Sequence, residues 1–391
     1  MKAKRFLTKA GVIGAALLVS GAAMAQDTVK IGLILPMTGP FASTGRQIST
    51  AAEAYMATHG DEVAGTKVEL ILEDDGGVPD QTKRIAQEMV VNEGVKVLAG
   101  FGLTPLAFAA APIATQAKVP MVVMAAATSS ITEKSPFITR TSFTLPQATV
   151  PLARWAADND ISKVVTVVAD YAPGIDAENA FVNEFKNQGG EIVESIRVPV
   201  ANPDFAPFLQ RVRDAQPDAV FVFVPSGVGS AFMKQFQDRG LADAGIKLIG
   251  TGDVTDDDIL NDMGDVAKGV ITTHHYSAAH ESAENDTFKQ AFKDAGGDRP
   301  NFMAAGGWDG MALIYQALEK TGGDASGPAL MEAIKGMEWE SPRGPVSIDP
   351  ETRDIVQDMY YREVKDVDGE LYNVEFGKEE AVKDPAKAAK N

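Results

Sequence analysis

From Thr28 onward the chain alternates short, almost continuously apolar runs with longer amphipathic stretches, and no other feature limits its fold so strongly. Unbroken runs of Val, Ile and Leu mark strands covered on both faces, and parallel strands need a long crossover, usually a helix. The pattern predicts an α/β fold of βαβ units around largely parallel sheets. Strands are expected at 29–36, 68–74, 95–101 and 120–126, with helices at 43–58, 79–92 and 105–117. Pro79 and Pro105 then fall in first turns, where a missing N–H costs nothing. After a strand-like run at 137–143 and a helix at 145–159, the alternation starts afresh with strands at 163–169, 191–200, 219–224 and 246–250. A second lobe of similar size follows from this. A strand at 269–276, helices at 284–295, 302–321 and 328–335, and an antiparallel pair at 355–364 and 371–376 around Asp368-Gly369 complete the reading. Residues 378–391 have little to bury and are expected to form a flexible tail.

The first 25 residues differ from the rest. Lys2, Lys4, Arg5 and Lys9 precede an uncharged run over 10–25 that ends in Ala23-Met24-Ala25, the layout of a cleavable secretory signal. A membrane anchor needs about 20 apolar residues, and this run is shorter, rich in Gly and Ala, and followed by Gln26 and Asp27. Cleavage after Ala25 is expected, giving an exported periplasmic protein without stable membrane insertion. The whole chain carries 36 basic against 54 acidic residues, a net charge of -18, the wrong sign for binding nucleic acid. It has no cysteine, which excludes disulfides, thiolate metal sites, Cys nucleophiles and an N-terminal lipid anchor on Cys.

Few residues carry recognisable catalytic or cofactor chemistry. Gly100-Phe101-Gly102 follows a strand, but the third glycine of a dinucleotide fingerprint is missing, and no phosphate loop or nucleophile elbow occurs. His274, His275 and His280 cluster near one strand end, where neighbours point to opposite faces rather than converging on a metal. The runs 73–75 and 256–258 are acidic without the spaced pattern of a calcium loop. No cofactor and no metal is expected. Thr104-Pro105 instead offers a hydroxyl as N-cap of a helix start, where unpaired N–H groups suit a carboxylate. Beside it, residues 125–130 read AAATSS, small enough for backbone to approach a ligand, and Ser130 with Glu133 fits a capping box. Phe41, Phe101, Tyr171, Tyr276 and Trp308 are candidate pocket walls, although any one of them serves equally as core.

These motifs coincide with a family. Residues 31–45, IGLILPMTGPFASTG, resemble the first strand and loop of type I periplasmic binding proteins of the branched-chain amino acid class, which feed ABC transporters. ILEDD at 71–75, the stretch 100–128 ending VPMVVMAAAT, 205–213 with PDA at 217–219, and GPV at 344–346 extend the resemblance over the whole mature chain. It implies a Venus-flytrap of two Rossmann-like lobes with parallel sheets joined by three crossovers, closing on a small carboxylate. Lobe one is then 27–146 plus 276–347, and lobe two is 147–275 plus 348–377. The resemblance assigns the carboxylate to Thr104, Ala126 backbone and Thr128, with Phe41 and Thr44 on the first loop and Tyr171 and Ser226 on lobe two. The acidic residue that pairs with an amino acid's ammonium falls at Gly252, with Asp253 one place later. An ammonium without its partner would be an unpaired buried charge. The segments SFTLPQ at 142–147 and ANPDFAPFLQ at 201–210 are similar to the branch that binds aromatic carboxylates and 2-oxo acids. An ABC permease and ATPase are the implied partners, and a monomer the implied state. An exported small-acid enzyme and a sensory ligand-binding protein are the competing classes.

Overall fold

The computed structural model describes residues 28–200 and 203–388, so the expected signal segment lies outside the described residues. Six strands form the first sheet: β1 (Thr28–Leu35), β2 (Glu62–Val63), β3 (Thr66–Asp74), β4 (Val97–Gly100), β5 (Met121–Val123) and β6 (Ile138–Arg140). Their order is β2-β3-β1-β4-β5-β6, parallel except for the short β2 hairpin strand. The second sheet contains β7 (Lys163–Ala169), β8 (Glu191–Val198), β9 (Ala219–Phe223), β10 (Lys247–Thr251) and β11 (Ile271–His274), all parallel. It continues antiparallel through β14 (Ile355–Val367), which pairs on one side with β13 (Gly344–Ile348) and then β12 (Glu338–Ser341), and on the other with β15 (Glu370–Val382). Two α/β lobes with mixed, mostly parallel sheets result, as the apolar runs predict.

Two expected boundaries shift. β12 and β13, at 338–348, hydrogen-bond into the second sheet through β14, although residues to 347 were expected in lobe one. Their side chains explain the ambiguity: Trp339 Nε1 (2.9 Å) and Ser341 Oγ (2.7 Å) both donate to Asp309 on the lobe-one helix Phe302–Thr321. The tail expected to be flexible from 378 is structured through 388. β15 runs to Val382, and Lys387, buried on the last helical turn, pairs with Asp354 and donates to Thr132 Oγ1 at 2.6 Å.

The lobe-one core joins β1, β4 and β5 to the helices Ala42–His59 and Phe302–Thr321, with Ile31, Leu33, Ile48 and Met311 wholly buried. Trp308 belongs to this core, edge-on to Tyr55 with ring centroids 5.0 Å apart. Tyr276 is likewise fully buried, its hydroxyl donating to Asn285 Oδ1 at 3.0 Å. Neither reaches the cleft, so both leave the set of expected ligand contacts: large aromatics at strand ends supply core area first.

Candidate functional site

Strand ends of parallel sheets are where the backbone stops pairing and loops become available to a ligand. Here the ends of β1, β4 and β5 face those of β7, β9 and β10 across the lobes. A narrow pocket lies between them, lined by Phe41, Thr44, Thr104, Ala126, Tyr171, Ser226 and Asp253 among others. Seven of the eleven residues singled out from sequence therefore line one pocket. Thr128 sits immediately behind it, hydrogen-bonded to Thr104 with 2.9 Å between the hydroxyl oxygens. Sequence reasoning missed Phe143, Phe223, Phe302 and Met303, which also line it. Phe143 lies inside the 142–147 segment and Phe223 ends the run AVFVF, so position alone pointed to both.

The lobe-one end of the pocket is built for an anion. Thr104 opens the helix Thr104–Ala117 as its first residue, with Leu103 as N-cap and Pro105 next. The hydroxyl expected to cap the helix makes no capping bond and instead donates to Thr128 Oγ1. Lone pairs on the Thr104 oxygen remain, and the N–H groups of the helix start are what suit an anion at this end of the pocket. The expected Ser130/Glu133 capping box is likewise absent, since residues Ser129–Lys134 form a 3₁₀ turn without a side-chain cap. A complete capping box stands instead at Thr144/Gln147.

Ala126 lines the pocket, but its N–H donates to Phe101 O at 3.0 Å and its carbonyl accepts from Arg140 at 2.9 Å. Arg140, wholly buried, also binds the carbonyls of Phe143 (2.8 Å) and Thr128 (2.7 Å) and pairs with Asp354 at 3.0 Å. One guanidinium thereby turns these carbonyls of the pocket loops away from the cleft. Phe101, expected as a pocket wall, instead packs in the core beneath with φ +66°.

The lobe-two end carries the acid. Gly252 does not face the ligand: a Cβ there would lie 1.9 Å from Arg362 Nη2. Asp253, the next residue, lines the pocket, and the register left open by the sequence falls on it. Thr251 Oγ1 donates to Asp253 Oδ2 at 2.8 Å, and His274 Nε2 stands 3.6 Å from the same oxygen. Burial holds His274 down at about 4 against the opposing pull of Asp253, so it is neutral at pH 7. Burial, aided by the Asp253 charge, pushes the Tyr171 phenol up, keeping it protonated. Tyr171 stacks on Phe223, with centroids 6.1 Å apart.

The lobes meet around this pocket. Ser129 N donates to Asp176 at 2.9 Å, Asn301 Nδ2 to Asp256 at 3.1 Å, and Ser43 hydrogen-bonds Asp258. The Asp256 carboxyl is pushed well up by burial and by the charges of Asp258 and Asp257. Gly227 abuts Pro40 so closely that a Cβ would lie 2.5 Å from the Pro40 carbonyl oxygen. These contacts describe a closed cleft.

Comparison with known proteins fits this arrangement. The family model described as periplasmic binding protein matches residues 28–370. "Leu/Ile/Val-binding protein homolog 6" of Brucella abortus (strain 2308) is 48% identical over 372 residues, covering 94% of this chain and 95% of its own. A solute-binding protein of an ABC transporter from Rhodopseudomonas palustris BisB5, solved in complex with 3,4-dihydroxybenzoic acid, is 63% identical with a TM-score of 0.91, covering 93% of this chain and 100% of that one. Another from R. palustris HaA2, in complex with p-hydroxybenzoic acid, is 44% identical with a TM-score of 0.91 and the same coverage. Among the described residues no helix is long and apolar enough to cross a membrane.

Proposed function

The chain belongs to the periplasmic binding protein family, and on that premise we propose that it is the solute-binding component of an ABC importer whose solute is an aromatic carboxylate of the benzoate class. One observation carries the reading: five aromatic rings, Phe41, Phe143, Tyr171, Phe223 and Phe302, wall a single pocket whose lobe-one end is the start of the helix Thr104–Ala117. A flat ring fills the space between such walls by offset or edge contacts, and the N–H groups of the helix start fix the carboxylate. Export with cleavage after Ala25, delivery to a permease and ATPase of the branched-chain amino acid type, a monomeric state and binding without turnover belong to the same proposal. Closure is by the two sheet-bearing lobes, hinged at the crossovers between them. A solute drives closure only by binding the closed state more tightly than the open one, which requires contacts to both lobes.

A second reading, a branched-chain or other hydrophobic amino acid receptor, is favoured by Asp253 at the pocket and by the 48% identical Brucella relative. Thermal melts of the unfolded and refolded mature protein with benzoate, benzoylformate, phenylpyruvate, phenylalanine and leucine separate the two. Solute at 100 times Kd adds about 2.7 kcal/mol, a shift of several degrees. Stabilisation by aromatic acids without an amino group supports the first reading, and stabilisation by leucine in their place overturns it.

A further inference from the structure

We infer that Asp253 is the specificity-determining residue of the pocket, accepting a hydrogen bond from a ring hydroxyl of the solute, so that hydroxylated benzoates are held in preference to benzoate itself. The inference rests on the aromatic-carboxylate reading and deepens it.

The pocket is polar at its two ends and aromatic between. Lobe one supplies the start of the helix Thr104–Ala117, where N–H groups suit a carboxylate, while lobe two supplies the carboxyl of Asp253, which can only repel a second carboxylate. A solute lying across the cleft therefore meets a donor at one end and an acceptor at the other. An aromatic acid satisfies that acceptor by carrying an O–H on the far side of its ring.

One hydrogen bond holds Asp253 without exhausting it. Thr251 Oγ1 donates to Oδ2 at 2.8 Å, and the neutral His274 ring stands 3.6 Å from the same oxygen. A carboxylate has about four lone-pair sites, so acceptor capacity remains for the ligand. Ser226, buried on the same rim of the pocket beside Asp256, adds a second polar atom for an adjacent ring hydroxyl. Of the basic groups near Asp253, His274 is neutral, and the Arg362 guanidinium, although it feels the Asp253 charge, directs its N–H groups to Thr272 Oγ1 and Tyr276 O rather than to the carboxylate.

This placement also decides what closes the cleft. Benzoate would offer lobe two only ring faces, whereas a ring hydroxyl gives it a directional bond to Asp253, present only when the lobes meet. Leaving the Asp253 acceptor buried and unmatched penalises the unsubstituted acid.

The test is isothermal titration of the refolded mature protein with benzoate, 4-hydroxybenzoate, 3,4-dihydroxybenzoate and leucine, for the wild type, Asp253→Ala and Asp253→Asn. The expected wild-type result is at least tenfold tighter binding of the hydroxylated acids than of benzoate. In Asp253→Ala the ratio should fall to within threefold of one, and a ligand-free melting curve matching the wild type is the control for folding. If Asp253→Ala fails to fold, Asp253→Asn, which keeps the shape and loses the charge, should lower the ratio at least threefold. A wild-type ratio near one, or a ratio preserved in both variants, overturns the inference while leaving the aromatic-carboxylate reading intact. Failure of all three aromatic acids together with leucine binding that disappears in Asp253→Ala overturns both and makes Asp253 an ammonium partner.

Discussion

Gly227→Ala isolates the closed state. Gly227 lies on lobe two, immediately after Ser226, and its hydrogen points at the Pro40 carbonyl of lobe one. The added methyl would sit 2.5 Å from that oxygen and 3.6 Å from Phe41 Cδ1, a separation from backbone that no Cβ tolerates. The contact crosses the cleft, so it exists only when the lobes meet, and the open state accommodates the methyl freely. Overpacking of this kind costs about 1–3 kcal/mol. Because solute affinity includes the free energy of closing, that cost appears as Kd weakened about 5- to 150-fold. At a concentration equal to 100 times the wild-type Kd, a 30-fold loss reduces the stabilisation from about 2.7 to about 0.9 kcal/mol. Calorimetry gives the affinity, and paired melts with and without solute give the rest. The ligand-free Tm should match the wild type while the solute-induced rise shrinks. A Kd within twofold of wild type, or a ligand-free Tm lowered as much as the loaded one, refutes the assignment of this contact to closure.

Thr104→Ala removes the hydroxyl at the lobe-one end of the pocket together with its bond to Thr128 and should weaken aromatic acid binding by about 0.5–1.5 kcal/mol in calorimetry. Gly252→Ala drives a methyl into the buried Arg362 guanidinium, which is held by Thr272 and Tyr276 and cannot retreat; urea melts should show a loss of about 3 kcal/mol. Arg140→Met leaves Asp354 only Lys387 as a cationic partner and releases the pocket-loop carbonyls, so stability should drop by about 1–3 kcal/mol and solute affinity with it. For His274, folding lowers the pKa from 6.5 to about 4, so the unfolded chain binds more protons between those values. Stability is then full above pH 6.5 and falls by up to ~3 kcal/mol as pH drops toward 4; a His274→Gln variant should show a shallower acid slope in urea melts from pH 7 to 4.5.

The alternating apolar runs located the parallel strands within a few residues because a strand covered on both faces has no polar face to blur its ends. The same logic fails at β12 and β13. Those strands are short and polar, and their side chains bind a lobe-one helix while their backbones pair with β14, so hydrophobic pattern cannot assign them. The C-terminal segment misled for a related reason: Lys387 and Asp384 look like tail composition, yet their charges are matched by Asp354, Thr132 and Ser129, far away in sequence.

Site residues were legible in proportion to how far local chemistry determines their direction. Thr104 follows a strand end and precedes Pro105, and the helix start fixes its place whether or not it serves as the cap. Tyr276 and Trp308 carry no such local constraint, and their rings turned inward to Asn285 and Tyr55. The Gly252/Asp253 register is the sharpest case. Sequence alignment by family pattern places the acid one position early, on a glycine. Arg362, more than a hundred residues later on β14, fills the space beside Gly252 with its guanidinium and requires the absence of a side chain there, whereas Asp253 lines the pocket. On the proposed reading the acid is displaced by one step, and the chemistry of the pocket turns on what Asp253 accepts.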